Sequence, residues 1–159
     1  MRHSRHLIKK DQPEYYFTGT LKGDLTQFPL DESEPPHIYL SAHSSKIYSI
    51  CVTNDNEFVF SADQGGFLKQ HSNKTRKLVR DFGKVHKNCI RCMAITPDNE
   101  RLITSDNKGF LKIFVIADGR LERELERSHQ GSILTIAVSS DSDWFYSAGE
   151  KGVLVTFFF

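Results

Sequence analysis

Three histidines, His43, His86 and His129, stand 43 residues apart, and their surroundings repeat at the same spacing. Four residues after each comes an isoleucine, at Ile47, Ile90 and Ile133. A glycine follows in phase at Gly66, Gly109 and Gly152, with a fourth at Gly23. A fixed period of this length marks a repeat architecture. Each unit is then one supersecondary motif that buries its apolar face only against a neighbour. The matching histidine of the first copy would fall one residue before Met1, so that copy starts inside its repeat.

Each repeat reads as four short strands. The runs Ile47 to Val52, Ile90 to Ile95 and Ile133 to Val138 are β-rich and apolar on both faces, as in strands covered on both sides. A polar turn ends each, at 53–57, 96–100 and 139–143, and Lys10 to Glu14 supplies it in the first copy. Second strands follow at Tyr15 to Thr18, Phe58 to Ser61, Arg101 to Thr104 and Trp144 to Ser147, each finishing on a hydroxyl residue. The phased glycines close a hairpin turn that needs positive φ. Ser105 to Phe114 is the clearest copy of that hairpin. Third strands carry Leu25, Leu68, Leu111 and Leu154. A more polar fourth strand, suited to an outer edge, is expected at His37 to Leu40, Lys77 to Phe82 and Arg120 to Leu125. Leu121 and Leu125 also fit one face of a helix, but phase across the repeats outweighs local propensity. Asp31 to Pro36 reads as a surface loop.

Composition narrows the function. Among 159 residues, Lys and Arg nearly balance Asp and Glu at a formal charge of +1, which argues against a strong nucleic-acid footprint. No apolar run is long enough to span a bilayer, and the first ten residues lack the apolar core of a signal peptide. Three cysteines, an odd count, give no disulfide framework. A reducing, cytoplasmic location is the expectation, with no membrane insertion.

No catalytic constellation emerges. Cys89 and Cys92 form a CxxC, but they lie on a strand, and Cys92 takes the slot of Ser49 and Thr135. They read as structural filler rather than a metal or redox pair. Each phased histidine has the same local role in its repeat, tying a loop to the hydroxyl residue below. His71 reads as packing. No Gly-x-Ser-x-Gly, phosphate loop or zinc-protease motif occurs, so no catalytic residue, cofactor or metal is expected. Two basic stretches, Arg2 to Lys10 and Lys74 to Arg80 with Lys84 and Lys87, could touch phosphates of RNA or acidic lipid. No aromatic residues alternate with the charge, so a solvated surface is favoured.

The histidine before the first strand, the Thr96-Pro97-Asp98 turn, the hydroxyl position (Thr18, Ser61, Thr104, Ser147) and the glycine hairpin together resemble the WD-repeat (tryptophan–aspartate repeat) β-propeller family. The resemblance covers nearly the whole chain. It implies an all-β propeller of four-stranded antiparallel blades, with blades at about 1–40, 41–83, 84–126 and 127–159. The repeats are degenerate. No Trp-Asp dipeptide occurs, and the tryptophan slot holds Phe28, His71, Phe114 and Phe157. The turn aspartate is replaced by Lys22, Gly65, Lys108 and Lys151, leaving Asp63 and Asp106, two residues earlier, as candidate substitutes. Four repeats fall short of the family's usual closed ring. The expectation is therefore an incomplete propeller, part of a longer one or a half completed by remaining blades or a second copy, with Phe157-Phe158-Phe159 as an apolar unpaired edge.

By the same resemblance the function is a non-catalytic scaffold for protein–protein interaction within a larger complex. The alternative is a ribonucleoprotein-associated propeller that contacts RNA through the basic patches. The family often binds peptides on its narrow face. Carried over by phase, the partner-binding positions are Lys46, Tyr48, Gln64, Arg91, Asn107, Leu134 and Glu150. Tyr48 and Arg91 lead, because Tyr and Arg are enriched at interaction hot spots.

Overall fold

A computed structural model describes residues 15–30, 34–39 and 42–159. These residues form four antiparallel sheets. The first holds β1 (Tyr15–Gly19), β2 (Leu25–Pro29) and β3 (His37–Tyr39). The second holds β4 (Ile47–Val52), β5 (Phe58–Asp63), β6 (Phe67–Ser72) and β7 (Leu78–Lys84). The third holds β8 (Ile90–Ile95), β9 (Arg101–Asp106), β10 (Leu111–Val115) and β11 (Leu121–Leu125). The fourth holds β12 (Ile133–Val138), β13 (Trp144–Gly149) and β14 (Leu154–Phe158). Each sheet is a meander with its strands side by side in chain order. The fold is all-β, a partial propeller of antiparallel blades. The stretch around Leu121 and Leu125 is a strand, paired with Leu111 through Leu125. The Lys10 to Glu14 turn, the Arg2 to Lys10 basic stretch and Leu40 lie outside the described residues.

Shared turn chemistry builds the repeated hairpins. After each inner strand a hydroxyl residue takes the amide of the residue five positions on: Phe58 N donates to Thr53 Oγ1 at 3.0 Å, Arg101 N to Thr96 Oγ1 at 3.0 Å and Trp144 N to Ser139 Oγ at 2.9 Å. Asp55, Asp98 and Asp141 accept the amides of Glu57, Glu100 and Asp143. Asn56, Asn99 and Ser142 take positive φ at the same phase, a conformation short polar side chains tolerate. One turn recurs three times from three different spellings.

The blades are held by three interblade cores. Leu25, Tyr39 and Ala42 meet Val59 between the first and second blades. Phe60, Ala62 and Leu68 meet Ile90, Leu102, Phe114 and Ile116 between the second and third. Ile103, Leu111 and Ile113 meet Ile133 and Phe145 between the third and fourth. Strand alternation does the sorting. On β5, Val59 packs toward one neighbour and Phe60 toward the other; on β9, Leu102 and Ile103 divide likewise. Polar ties cross the same seams. Arg80 Nη1 donates to the Ile116 carbonyl at 3.1 Å, and Asn54 Nδ2 donates to those of Thr96 and Pro97, each at 3.2 Å.

One expectation needs correction. The inner strands β4, β8 and β12 are half-buried rather than covered on both faces, since they line the inner rim of an open arc. Phe157 and Phe158 close β14, which among the described residues is an unpaired edge strand of its sheet. Strand alternation turns Phe157 and Phe159 onto the core around Phe145, and only Phe158 is exposed. Leu154 is 67% exposed, unlike its buried equivalents Leu25, Leu68 and Leu111, because among the described residues no blade covers that face of the fourth sheet.

Candidate functional site

Every blade has two ends. One carries the turns after the inner strands, where Asn54 meets Asn99 and the Asp98 amide meets Ser142 Oγ. The other carries the glycine hairpin and the connection to the next blade. This second end is the connection face, and every predicted partner-binding residue belongs to its turns or to the strands that start there.

Glycine and histidine interlock the connection face. The amide of His43 donates to the Gly23 carbonyl at 2.9 Å, that of His86 to Gly66 at 3.2 Å and that of His129 to Gly109 at 3.4 Å. The hairpin of one blade thus seats the incoming loop of the next. Below the loop, each imidazole reaches its hydroxyl partner: His43 Nε2 to Ser61 Oγ and His86 Nε2 to Thr104 Oγ1 at 2.8 Å, and His129 Nε2 to Ser147 Oγ at 2.7 Å. Burial lowers the pKa of all three, with His86 at about 4, so they are neutral at pH 7.

Asp63 and Asp106 substitute for the missing turn aspartate. Asp106 Oδ1 accepts the amides of Lys108 at 2.9 Å and Phe110 at 3.0 Å, and Oδ2 accepts Asn88 Nδ2 at 3.0 Å. Asp63 accepts the Phe67 amide and the Ser45 hydroxyl, both at 2.9 Å. Their Oδ2 atoms lie 3.8 Å from His86 Nδ1 and 3.4 Å from His43 Nδ1. With both imidazoles neutral, these separations are not ion pairs; His43 Nδ1 has no aligned hydrogen bond, and burial outweighs the Asp63 charge in setting its pKa. The fourth blade has Gly149 at the aspartate position, and His129 Nδ1 lacks a hydrogen-bond partner.

Above this frame, each inner strand bulges at the same phase. The register shifts between Ile47 and Ser49, between Ile90 and Cys92, and between Ile133 and Thr135. The extra residues are Tyr48, Arg91 and Leu134, left out of the ladder and turned outward. Tyr48 is 42% exposed, Leu134 is 52% exposed, and Arg91 is also exposed. The Arg91 guanidinium lies over the Tyr48 ring at 5.1 Å from its centroid, joining neighbouring blades. The hairpin positions tie back to the same strands. Gln64 N donates to the Lys46 carbonyl at 2.8 Å, Asn107 N to that of Cys89 and Glu150 N to that of Ser132, both at 3.0 Å. Lys46, Gln64 and Glu150 are exposed, whereas Asn107 is half-buried. Lys46, Tyr48, Gln64 and Arg91 gather where the second and third blades meet. Leu134 and Glu150 sit on the fourth. The bulge that aims Tyr48, Arg91 and Leu134 has no signature in residue type, because the three side chains share nothing but phase.

The second basic stretch divides. Strand β7 runs from Lys74 and Lys77 at one end to Lys84 and Lys87 at the connection face. Arg76 is paired with Glu34, and Arg80 is held by blade-crossing carbonyls. Cys92 Sγ bonds Ser105 Oγ, Cys89 Sγ bonds the Ile90 carbonyl, and burial raises both thiol pKa values. His71 is buried with its ring edge-on to Tyr39 at 5.1 Å.

The WD domain, G-beta repeat model (WD40) matches residues 34–72, 76–114 and 119–155. The chain belongs to the WD40 repeat family. Each matched segment begins with the outer strand of one blade and runs into the third strand of the next, as in β3 with β4 to β6. A WD40 sequence repeat therefore straddles two blades, and this offset staples them. No curated protein matches the sequence. WD40 repeats generally serve as protein–protein interaction scaffolds and are typically non-enzymatic. Among the described residues, no helix is long and apolar enough to cross a membrane.

Proposed function

We propose that this chain is a non-catalytic interaction scaffold whose connection face holds a partner protein through Lys46, Tyr48, Gln64, Arg91, Asn107, Leu134 and Glu150. The observation that carries this reading is the triple bulge. Three consecutive inner strands give up ladder pairing at one phase and present three chemically different side chains, Tyr48, Arg91 and Leu134, on a rigid rim. A purely structural repeat has no need to vary a projecting position while its supporting glycine, histidine and hydroxyl positions stay fixed. The preformed stack of Arg91 on Tyr48 lowers the entropy lost when a partner lands on it.

The outward faces of the first and fourth sheets expose Tyr16, Ile38, Trp144, Leu154 and Phe158. Further blades, from a longer chain or a second copy, would bury them as the internal seams are buried. The protein operates within an assembly in the cytoplasm. Comparison of the proteins retained by the wild type and by the Tyr48→Ala/Arg91→Ala double variant tests the face. Loss of specific proteins supports it, and an unchanged set overturns it.

A further inference from the structure

The blades are electrically polarised. The connection face exposes Lys22, Lys46, Lys87, Arg91, Lys108 and Lys151. Lys22, Lys108 and Lys151 occupy one phase, each immediately before the hairpin glycine. Among the described residues, none of the six has a carboxylate within ion-pair distance. The paired bases Lys69, Arg101, Lys112 and Arg120 belong instead to the outer flanks and the opposite turns. Carboxylates crowd that opposite end, where Asp55, Glu57, Glu100, Asp141 and Asp143 are exposed. On the connection face Asp24, Glu126 and Glu150 interrupt the positive charge. Asp63 and Asp106 lie beneath it, buried and turned toward backbone amides.

Exposed Lys74 and Lys77 stand among the carboxylates of that opposite end, so the formal charge of +1 conceals a connection face rich in unpaired bases and an opposite end of mixed sign. A face lined by one sign attracts a ligand of the other and speeds its encounter. The apolar side chains on the same face narrow the ligand class. Leu21 and Leu134 are exposed beside the bases, and one side of the Tyr48 ring is taken by Arg91. Nucleic acid asks for aromatic faces on which bases can stack. Leucines among lysines suit a polypeptide in which carboxylates and apolar side chains are mixed. Arg91, already oriented by the ring, offers the planar fork that grips a carboxylate bidentately.

We propose that the connection face takes an acidic, partly apolar polypeptide segment. This rests on the reading of that face as the partner-binding one. Fluorescence anisotropy with a labelled twelve-residue peptide of alternating glutamate and leucine is the test, with oligouridine of equal length as the competing class. The wild type should bind the peptide more tightly than the RNA, with affinity falling as salt rises. Lys46→Glu/Lys108→Glu should weaken binding at least tenfold. Lys74→Glu/Lys77→Glu, at the opposite end, should change it less than twofold. Among the described residues, none of the four positions forms an ion pair, and an unshifted thermal melt confirms that the variants fold. Tighter binding of oligouridine, equal loss in both variants, or no peptide binding at millimolar concentration overturns the proposal. Retained cellular proteins separate the two levels. Proteins lost with Tyr48→Ala/Arg91→Ala but kept with Lys46→Glu/Lys108→Glu leave the face standing and remove its acidic ligand. Proteins kept with both variants remove the face itself.

Discussion

The carbonyl oxygen of His86 lies 2.2 Å from where a Cβ on Gly66 would stand. Gly109 has the same relation to His129 at 2.0 Å, and Gly23 to His43 at 2.1 Å. The glycine of each hairpin is thus required twice, for its positive φ and because the next blade's loop occupies the space of a side chain. Gly152 separates the two demands, having φ of 74° and nothing within 4 Å of an added Cβ. Gly152→Ala should cost about 1–2 kcal/mol, from backbone conformation alone. Gly66→Ala and Gly109→Ala should cost about 1–3 kcal/mol more, from overpacking against a carbonyl. Urea denaturation of the three variants measures the difference, and equal losses would refute the interlock.

Asp106 anchors its hairpin through two backbone amides and the Asn88 side chain. Asp106→Ala leaves those donors without their acceptor inside a buried turn. Destabilisation of about 2–4 kcal/mol is expected, and Asp63→Ala should act in the same direction. Asp106→Asn should recover part of the loss, because one amide oxygen still accepts. Denaturation midpoints decide, and a neutral Asp106→Ala would show that the carboxylate has no anchoring role.

Acid should loosen the seams before it unfolds the turns. Burial lowers His71 and His86 to about 4 from an ordinary value of 6.5. Between those values the unfolded chain binds the proton and the folded chain does not, so stability rises with pH across this window and falls as pH drops through it. Above about 6.5 both states are neutral at these groups and their contribution is flat. Melting temperature should fall steadily from pH 6.5 to 4.5 and change little from pH 7 to 8 through these residues. His86→Gln should flatten the acid limb. An identical limb in that variant would assign the transition to other groups.

The thiols should be slow to react. Burial raises Cys51, Cys89 and Cys92 above the ordinary thiol range, which leaves little thiolate at neutral pH. Intact-mass measurement after brief iodoacetamide treatment at pH 7.5 should show an unmodified native protein and three adducts in denaturant. Rapid native modification at Cys89 and Cys92 would revive a redox reading.

The repeat was legible because phase is a global signal. His43, His86 and His129, the hydroxyl residues and the glycines repeat wherever packing demands one solution, and the strands follow from them. The substitution of Asp63 and Asp106 was visible only as a coincidence of position, since bonding to the hairpin amides depends on how the turn folds back. The bulges at Tyr48, Arg91 and Leu134 were legible in place but not in cause. A register shift comes from the pairing of two strands, and neither strand's sequence encodes it alone. The charge division was hidden by a net sum in which Lys46 and Lys108 cancel Asp55 and Asp141, residues at opposite ends of the blades.

The most direct measurement places a photocross-linking residue at single exposed sites. Tyr48→benzoylphenylalanine and Leu134→benzoylphenylalanine put it on the connection face, and Asp55→benzoylphenylalanine and Asp141→benzoylphenylalanine put it on the opposite turns. Irradiation in cells, followed by mass spectrometry, should give the same partner cross-linked from positions 48 and 134 and none from 55 and 141. A partner captured from 55 and 141, with nothing from 48 and 134, would contradict the placement of the binding surface.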